Sequence, residues 1–258
     1  MMTHELEVAI ALARKAGEIT LGYWRSGLAA ETKDDDSPVT KADKESERLI
    51  VEGLTAAFPD DGLLGEEGAR QEAKSGRRWI IDPIDGTRDF LRGNTAWAIL
   101  IALEEQGDVV LGVAYLPAMG DLFHAVRGGG AFCNGRPIQV SNIGRVSQSV
   151  LCLNGFNTLH RFPFAGLVEW MSGFWAVRSM GGCLDAMLVA RGHAEIWLDS
   201  NGKAWDYAPL KIIAEEAGAR FLNFNGGSSA HGGSCILFAP GLEAEVRRMA
   251  GIGADAGT

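Results

Sequence analysis

One stretch limits what this chain can fold into more than any other: Trp79-Ile80-Ile81-Asp82-Pro83-Ile84-Asp85-Gly86-Thr87. The apolar run at its start reads as a short buried strand, and it leads directly into two aspartates with a proline between them. Pro83 fixes φ and removes an N–H, so the chain is expected to leave the strand there in a rigid turn. Gly86 permits a conformation or a close approach that a side chain would block. The expected product is a stiff elbow presenting two carboxylates, the Ile84 carbonyl and the Thr87 hydroxyl together. Hard oxygen donors of this kind suit Mg2+ or Mn2+. The same residues also describe a strand ending in an Asx turn, with Asp82 and Asp85 capping backbone N–H groups.

The pattern on either side of the elbow sets the architecture. Residues 4–24 place Leu6, Ile10, Ala13, Ala16 and Gly17 on one helical face, with Thr3 as N-cap. Thr40-Lys41-Ala42-Asp43 has capping-box spacing and opens a second helix, which ends near Ala57. Alternation at Trp97, Ile99, Ile101 and Leu103, a turn at Gln106-Gly107-Asp108, and runs over 109–115, 122–126 and 131–132 predict a meander of strands. Asn134-Gly135 is a strong hairpin turn within it. After a polar stretch at 142–149, strands (150–153, 174–177, 196–198, 220–222, 235–239) alternate with helices (164–171, 183–190, 206–217 and a last one through Met249). Residues 1–142 thus read as a helix-plus-meander half and 143–258 as an alternating α/β half, two layered subdomains packed as one unit around a cleft.

Bulk properties narrow the function. A net charge of −9 disfavours nucleic acid as the main ligand, because an acidic surface repels phosphates. The opening Met1-Met2-Thr3-His4-Glu5-Leu6-Glu7 carries acids where a signal peptide would be basic, and no apolar run has the length of a membrane span. Cys133, Cys152, Cys183 and Cys235 form no CxxC pair and sit among apolar or glycine-rich neighbours, as reduced, buried thiols of a cytoplasmic protein would. The five histidines show no zinc-ligand spacing.

Two further acidic segments stand out. Gly65-Glu66-Glu67-Gly68 follows a short apolar pair and is compatible with a solvated loop. Trp205-Asp206-Tyr207-Ala208-Pro209 opens an apolar helix, where Asp206 serves either as an N-cap or as a carboxylate delivered into the cleft.

Taken in order, Asp43, Glu66-Glu67, Asp82-Pro83-Ile84-Asp85-Gly86-Thr87 and Trp205-Asp206 resemble the signature of the inositol monophosphatase family, a group of magnesium-dependent, lithium-sensitive phosphatases. The resemblance covers essentially the whole chain. It departs at Ala217-Gly218-Ala219, where the family usually has a glycine pair. It implies an αβαβα sandwich, a homodimer and two or three Mg2+ ions, Mn2+ being a possible substitute. Carried over, Glu66, Asp82, the Ile84 carbonyl and Thr87 would surround the first ion, and Asp82, Asp85 and Asp206 the second. Glu66 would also serve a third site near the loop that contains Lys33. Thr87 and Asp43 resemble the pair that orients the attacking water, so Asp43, Glu66 and Thr87 are the implied catalytic residues. The metals would then let an acidic protein bind an anionic substrate. A DxDGT phosphatase motif, with aspartate as nucleophile, is spoiled by the extra residue that includes Pro83.

On the alcohol side the resemblance points to Gly181, Gly182, Cys183 and Asp199, together with Asp85, Gly86, Thr87 and Asp206, as substrate contacts. Asp199 reads on its own as an exposed loop acid. Gly86-Thr87-Arg88-Asp89-Phe90-Leu91-Arg92-Gly93 and Leu100-Ile101-Ala102-Leu103-Glu104 look most like the histidinol-phosphate phosphatase branch. The expected substrate is therefore a small phosphorylated metabolite, L-histidinol phosphate first, then inositol monophosphate, then 3′-phosphoadenosine 5′-phosphate-type nucleotides. Some family members instead bind the transcription machinery, a non-enzymatic alternative against which the intact carboxylate set argues.

Overall fold

The computed structural model describes residues 2–26, 31–32 and 38–252. Helix α1 (Thr3–Ser26), the short strands β1 (Glu31–Thr32) and β2 (Pro38–Val39), and helix α2 (Lys41–Ala57) lead into β3 (Gly62–Gly65), β4 (Arg70–Gln71) and β5 (Arg77–Asp85). After the single turn α3 (Thr87–Leu91) come β6 (Ala98–Glu105), β7 (Asp108–Leu116), β8 (Asp121–Val126), β9 (Ala131–Cys133) and β10 (Arg136–Ile138). The rest alternates: β11 (Val150–Leu153), α4 (Leu167–Met171), β12 (Ala176–Arg178), α5 (Gly182–Ala190), β13 (Ile196–Asp199), α6 (Ala204–Glu216), β14 (Arg220–Leu222), β15 (Cys235–Phe238) and α7 (Glu243–Ala250).

The strands form an eight-stranded sheet, β10-β9-β8-β7-β6-β5-β3-β4, and a five-stranded sheet, β12-β11-β13-β15-β14. In the larger sheet every pairing is antiparallel except β3 with β5, so these two strands end side by side. Asn134 (φ 50°) and Gly135 (φ 74°) both adopt the left-handed conformation of the expected hairpin turn, joining β9 to β10.

Alternation along β6 explains the layering. Ile99, Ile101 and Leu103 pack with Ala9, Leu12, Ile50 and Leu54 of α1 and α2 on one face. The intervening Ala98, Leu100 and Ala102 face the opposite way, into a cluster with Met187 of α5 and Tyr207, Ile212 and Ile213 of α6. The sequence pattern marks only the first face, yet both are buried, because α5 and α6 fill the space between the two sheets. Gly112 on β7 lets α6 lie close, since a Cβ there would sit 2.7 Å from the Pro209 carbonyl. On the far side of the smaller sheet, Leu153, Ile196 and Leu198 pack with Leu167 of α4 and Val246 of α7. The order is helices, sheet, helices, sheet, helices: the expected αβαβα sandwich.

Local expectations and structure differ where tertiary pairing overrides propensity. β5 does not stop at Ile81 but continues through Asp85. β3, β4 and α3 carry too few residues for a periodic signal. The helix expected over 164–171 begins only at Leu167, because Phe162 and Phe164 turn inward to pack around Phe224.

Candidate active site

The two aspartates of the elbow owe their common direction to a β-bulge. Asp82 pairs with Leu100 and Asp85 with Ala98, so three steps on β5 match two on β6. In a regular strand, residues three apart point to opposite faces; the extra residue brings both carboxylates to one side. Chain direction therefore changes by a bulge within the sheet, where the sequence suggested a turn leaving it. The Ile84 N–H donates to Asp82 Oδ1 at 3.0 Å, the Asx-type bond anticipated as the alternative reading. Gly86 (φ 86°) then starts α3 in a left-handed conformation, with the Ala96 carbonyl only 2.7 Å from where a Cβ would stand.

Glu66 follows β3, and the parallel pairing of β3 with β5 sets it beside Asp82. Its N–H donates to the Ile81 carbonyl at 3.1 Å. The loop is clamped from below by Glu47 of α2, whose carboxylate accepts the N–H groups of Glu67 and Ala69, each at 2.9 Å. Glu47 was not anticipated as a site residue. The available signal was an acid on the buried stripe of α2, in line with Asp43, Ile50 and Leu54.

Asp206 is not the N-cap of α6. It lies in the first turn, and its carboxylate accepts the Lys203 N–H at 2.5 Å. Asp82, Asp85 and Asp206 present oxygens that all lie within 4.8 Å of one another. They line one cleft of about 520 Å³ with Glu66, Ile84 and Thr87. Gly86, Gly181 and Gly182 lie on its wall with Arg88 and Asp89, of the stretch that resembles the histidinol-phosphate phosphatase branch, and so do Asn154, Asn157 and Ser179, which carry no signal in the sequence.

Asp43 is fully buried, and its capping-box position leaves one carboxylate oxygen for Thr87. One oxygen accepts the Thr40 N–H at 2.8 Å and the Thr40 hydroxyl at 2.5 Å, completing the capping box. The other faces the Thr87 hydroxyl at 3.5 Å, which also donates to the Ile84 carbonyl at 3.1 Å.

Two of the expected substrate contacts, Asp199 and Cys183, are buried beside the cleft. Asp199 is no exposed loop acid: it is 6 % exposed and lines a smaller cavity of about 120 Å³ with Asp85, Asn154 and Asp206. Cys183 is fully buried, and its N–H donates to Asp85 Oδ2 at 3.1 Å. Lys33 falls outside the described residues.

Electrostatics favour a cation in this cleft. Burial first, and then repulsion from Glu66, Asp85 and Asp206, pushes the Asp82 carboxyl well above its ordinary range. Burial and neighbouring charge also raise Asp206, while Asp85 goes up to about 6 despite the opposing Cys183 hydrogen bond. Asp43 is raised by its burial, against the hydrogen bonds from Thr40. Among the described residues no lysine or arginine pairs with Asp82, Asp85 or Asp206. Oxygen-only, mutually repelling donors of this kind match a hard divalent ion.

The family model for the inositol monophosphatase family matches residues 1–250. A histidinol-phosphatase of Chlorobaculum parvum is 44% identical over 240 residues, covering 92% of this chain and 93% of that protein. The histidinol-phosphatase of Mycobacterium tuberculosis is 38% identical over 246 residues, with 91% and 94% covered. The solved Thermotoga maritima IMPase superposes with a TM-score of 0.87 at 30% identity, covering 96% of this chain and 97% of its own. Sequence, fold and carboxylate geometry agree, and the chain belongs to the inositol monophosphatase family of phosphoric monoester hydrolases.

Proposed function

We propose that this chain hydrolyses L-histidinol phosphate with the help of two or three Mg2+ ions, Mn2+ being an acceptable substitute. The convergence of Asp82, Asp85 and Asp206 within 4.8 Å in a cleft shared with Glu66 carries the reading. Glu66, Asp82, Asp85, Asp206 and the Ile84 carbonyl are the residues that would hold the ions. When bound there, Mg2+ supplies charge neutralisation for the phosphoryl oxygens and the leaving alkoxide, and lowers the pKa of a water.

The chain's own groups do the rest. The Thr87 hydroxyl, between Asp43 and the Ile84 carbonyl, orients the attacking water and passes its proton toward Asp43. Thr40 and the α2 backbone hold Asp43 in place for that role. The N–H groups at the start of α3, beginning with Gly86 and Thr87, bind phosphoryl oxygens. Attack is by water, without a covalent phosphoenzyme. Gly181 and Gly182 border the leaving alcohol, and Cys183 acts through the N–H that steadies Asp85.

Histidinol phosphate ranks first because relatives bearing that name reach 44% and 38% identity, against 36% for an inositol-1-monophosphatase of Rhizobium meliloti. Four unpaired, buried cysteines support a cytoplasmic setting, and no helix among the described residues is long and apolar enough to cross a membrane. A homodimer is the assembly that the family resemblance implies. Phosphate release from histidinol phosphate, inositol 1-phosphate and 3′-phosphoadenosine 5′-phosphate, with Mg2+ or with EDTA, tests the reading. The highest kcat/KM is expected for histidinol phosphate, with none in EDTA. Absence of metal-dependent turnover on every substrate would sink it.

A further inference from the structure

Asp89 of α3 lines the cleft with Thr87 and Arg88, and its carboxylate is fixed from one side only. Asn94 Nδ2 donates to Oδ1 at 2.8 Å, and the Asn94 N–H donates to the Asp89 carbonyl at 2.9 Å, closing a tight loop. Oδ2 faces Gly181 across the cleft wall, 3.7 Å from where a Cβ on that residue would stand. Because Gly181 has no side chain, none is interposed between it and this oxygen, and Ala96 is the other neighbour at that point. No cation pairs with Asp89 among the described residues, its neighbour Arg88 included. The other polar groups nearby on the wall are the neutral Asn154, Asn157 and Ser179 and the cationic Arg88, which makes no ion pair with Asp89.

Asp199 is in a different state. It is buried, receives the Asn201 N–H at 3.3 Å together with the Asn154 and Tyr207 side chains, and lines the adjoining small cavity, which shares Asp85, Asn154, Gly182 and Asp206 with the cleft. Asp199 is thus already engaged by Asn154, Asn201 and Tyr207. Apart from the acids that would hold the ions, the carboxylate that lines the larger cleft is Asp89, and its Oδ2 accepts no hydrogen bond among the described residues. Its negative charge repels an anionic alcohol, offers only a hydrogen bond to a polyol, and forms a charge-assisted pair with an ammonium group.

We propose that Asp89 is a specificity-determining residue that pairs with a protonated amine on the leaving alcohol, so that the cleft selects amino-alcohol phosphates over polyol phosphates. The assignment rests on reading this cleft as the phosphatase site. Its test compares kcat/KM for L-histidinol phosphate and O-phosphoethanolamine with that for glycerol 2-phosphate, in saturating Mg2+. Asp89→Asn keeps an acceptor for Asn94 and removes only the charge. The amine-to-polyol ratio is expected to fall about tenfold, through KM rather than kcat; Asp89→Lys should lower it further and Asp89→Glu restore part of it. An unchanged ratio, or a loss of kcat shared equally by all three substrates, overturns the assignment. If the wild-type protein turns over none of them, the phosphatase reading itself fails; if it turns over all of them and the ratio does not move, only the role of Asp89 fails.

Discussion

The N–H of Cys183 donates to Oδ2 of Asp85 at 3.1 Å across 98 positions of sequence. One bond thereby fixes the start of α5, a helix of the middle layer, to a carboxylate of the larger sheet. Asp85→Asn keeps an oxygen for that bond, so the fold should survive, but the charge that would help hold a divalent ion is gone. Mg2+-dependent kcat/KM is expected to fall about 100-fold or more, with the melting temperature in EDTA not lowered. Near-normal turnover in this variant would remove Asp85 from the metal site.

Carboxyl groups that repel one another make the metal-free protein sensitive to pH in an uncommon direction. Asp85 stands at about 6 against an ordinary 3.8, and Asp82 and Asp206 are displaced the same way. The folded state therefore binds these protons more tightly than the unfolded chain. Their contribution is complete below the ordinary carboxylate range and is lost as pH rises through about 6. In EDTA the melting temperature should drop between about pH 5 and about pH 7, and Mg2+ should reverse the drop at the higher pH. Scanning calorimetry in both buffers gives the answer; a rise with pH in EDTA contradicts the electrostatic account.

Glu47 and Gly65 form a lock under the Glu66 loop. A side chain at Gly65 would collide with the Glu47 carboxylate, which holds the N–H groups of Glu67 and Ala69. Glu47→Ala should lower kcat/KM by about 10- to 100-fold, as loss of a group supporting a ligand does, and should raise the Mg2+ concentration for half-maximal rate. Gly65→Ala should destabilise the fold by about 1–3 kcal/mol through overpacking. Activity titrations and thermal melts check the two effects separately.

A second link lies away from the cleft. Glu104 on β6, 5% exposed, accepts from Arg78 of β5 and lies 2.7 Å from His231, in the loop between β14 and β15. Arg78 and His231 are about 40% exposed and can turn to water, which limits what the cluster contributes. Glu104→Ala should cost about 1–2 kcal/mol and leave kcat/KM unaltered. A loss beyond about 4 kcal/mol would mean that the cluster acts as a buried ion pair.

Signals confined to a few neighbouring residues were readable in the amino-acid order. Thr40 and Asp43 announce a capping box, Asn134-Gly135 a hairpin, and Asp82 to Thr87 a rigid run of oxygen donors, because each depends on backbone preferences and on contacts within one turn. The family pattern of acids added which carboxylates belong together. Other features depend on atoms supplied from far along the chain. The bulge that turns Asp82 and Asp85 to one side arises from the pairing of β5 with β6. The burial of Asp199 needs α6 and its Tyr207 against the end of β13. Cys183 turns both its amide and its buried thiol toward Asp85, since packing between the two sheets brings the start of α5 against the elbow.

The run from Trp79 to Thr87 thus specified a set of hard oxygen donors by its residue types alone, as donor identity needs no neighbours, and the family pattern of acids separated that reading from a strand ending in an Asx turn. Whether those donors meet is a question of distance. It was settled by the pairing of β3 with β5, the bulge on β5, the first turn of α6 and the clamp from Glu47, none of which any short window of sequence contains.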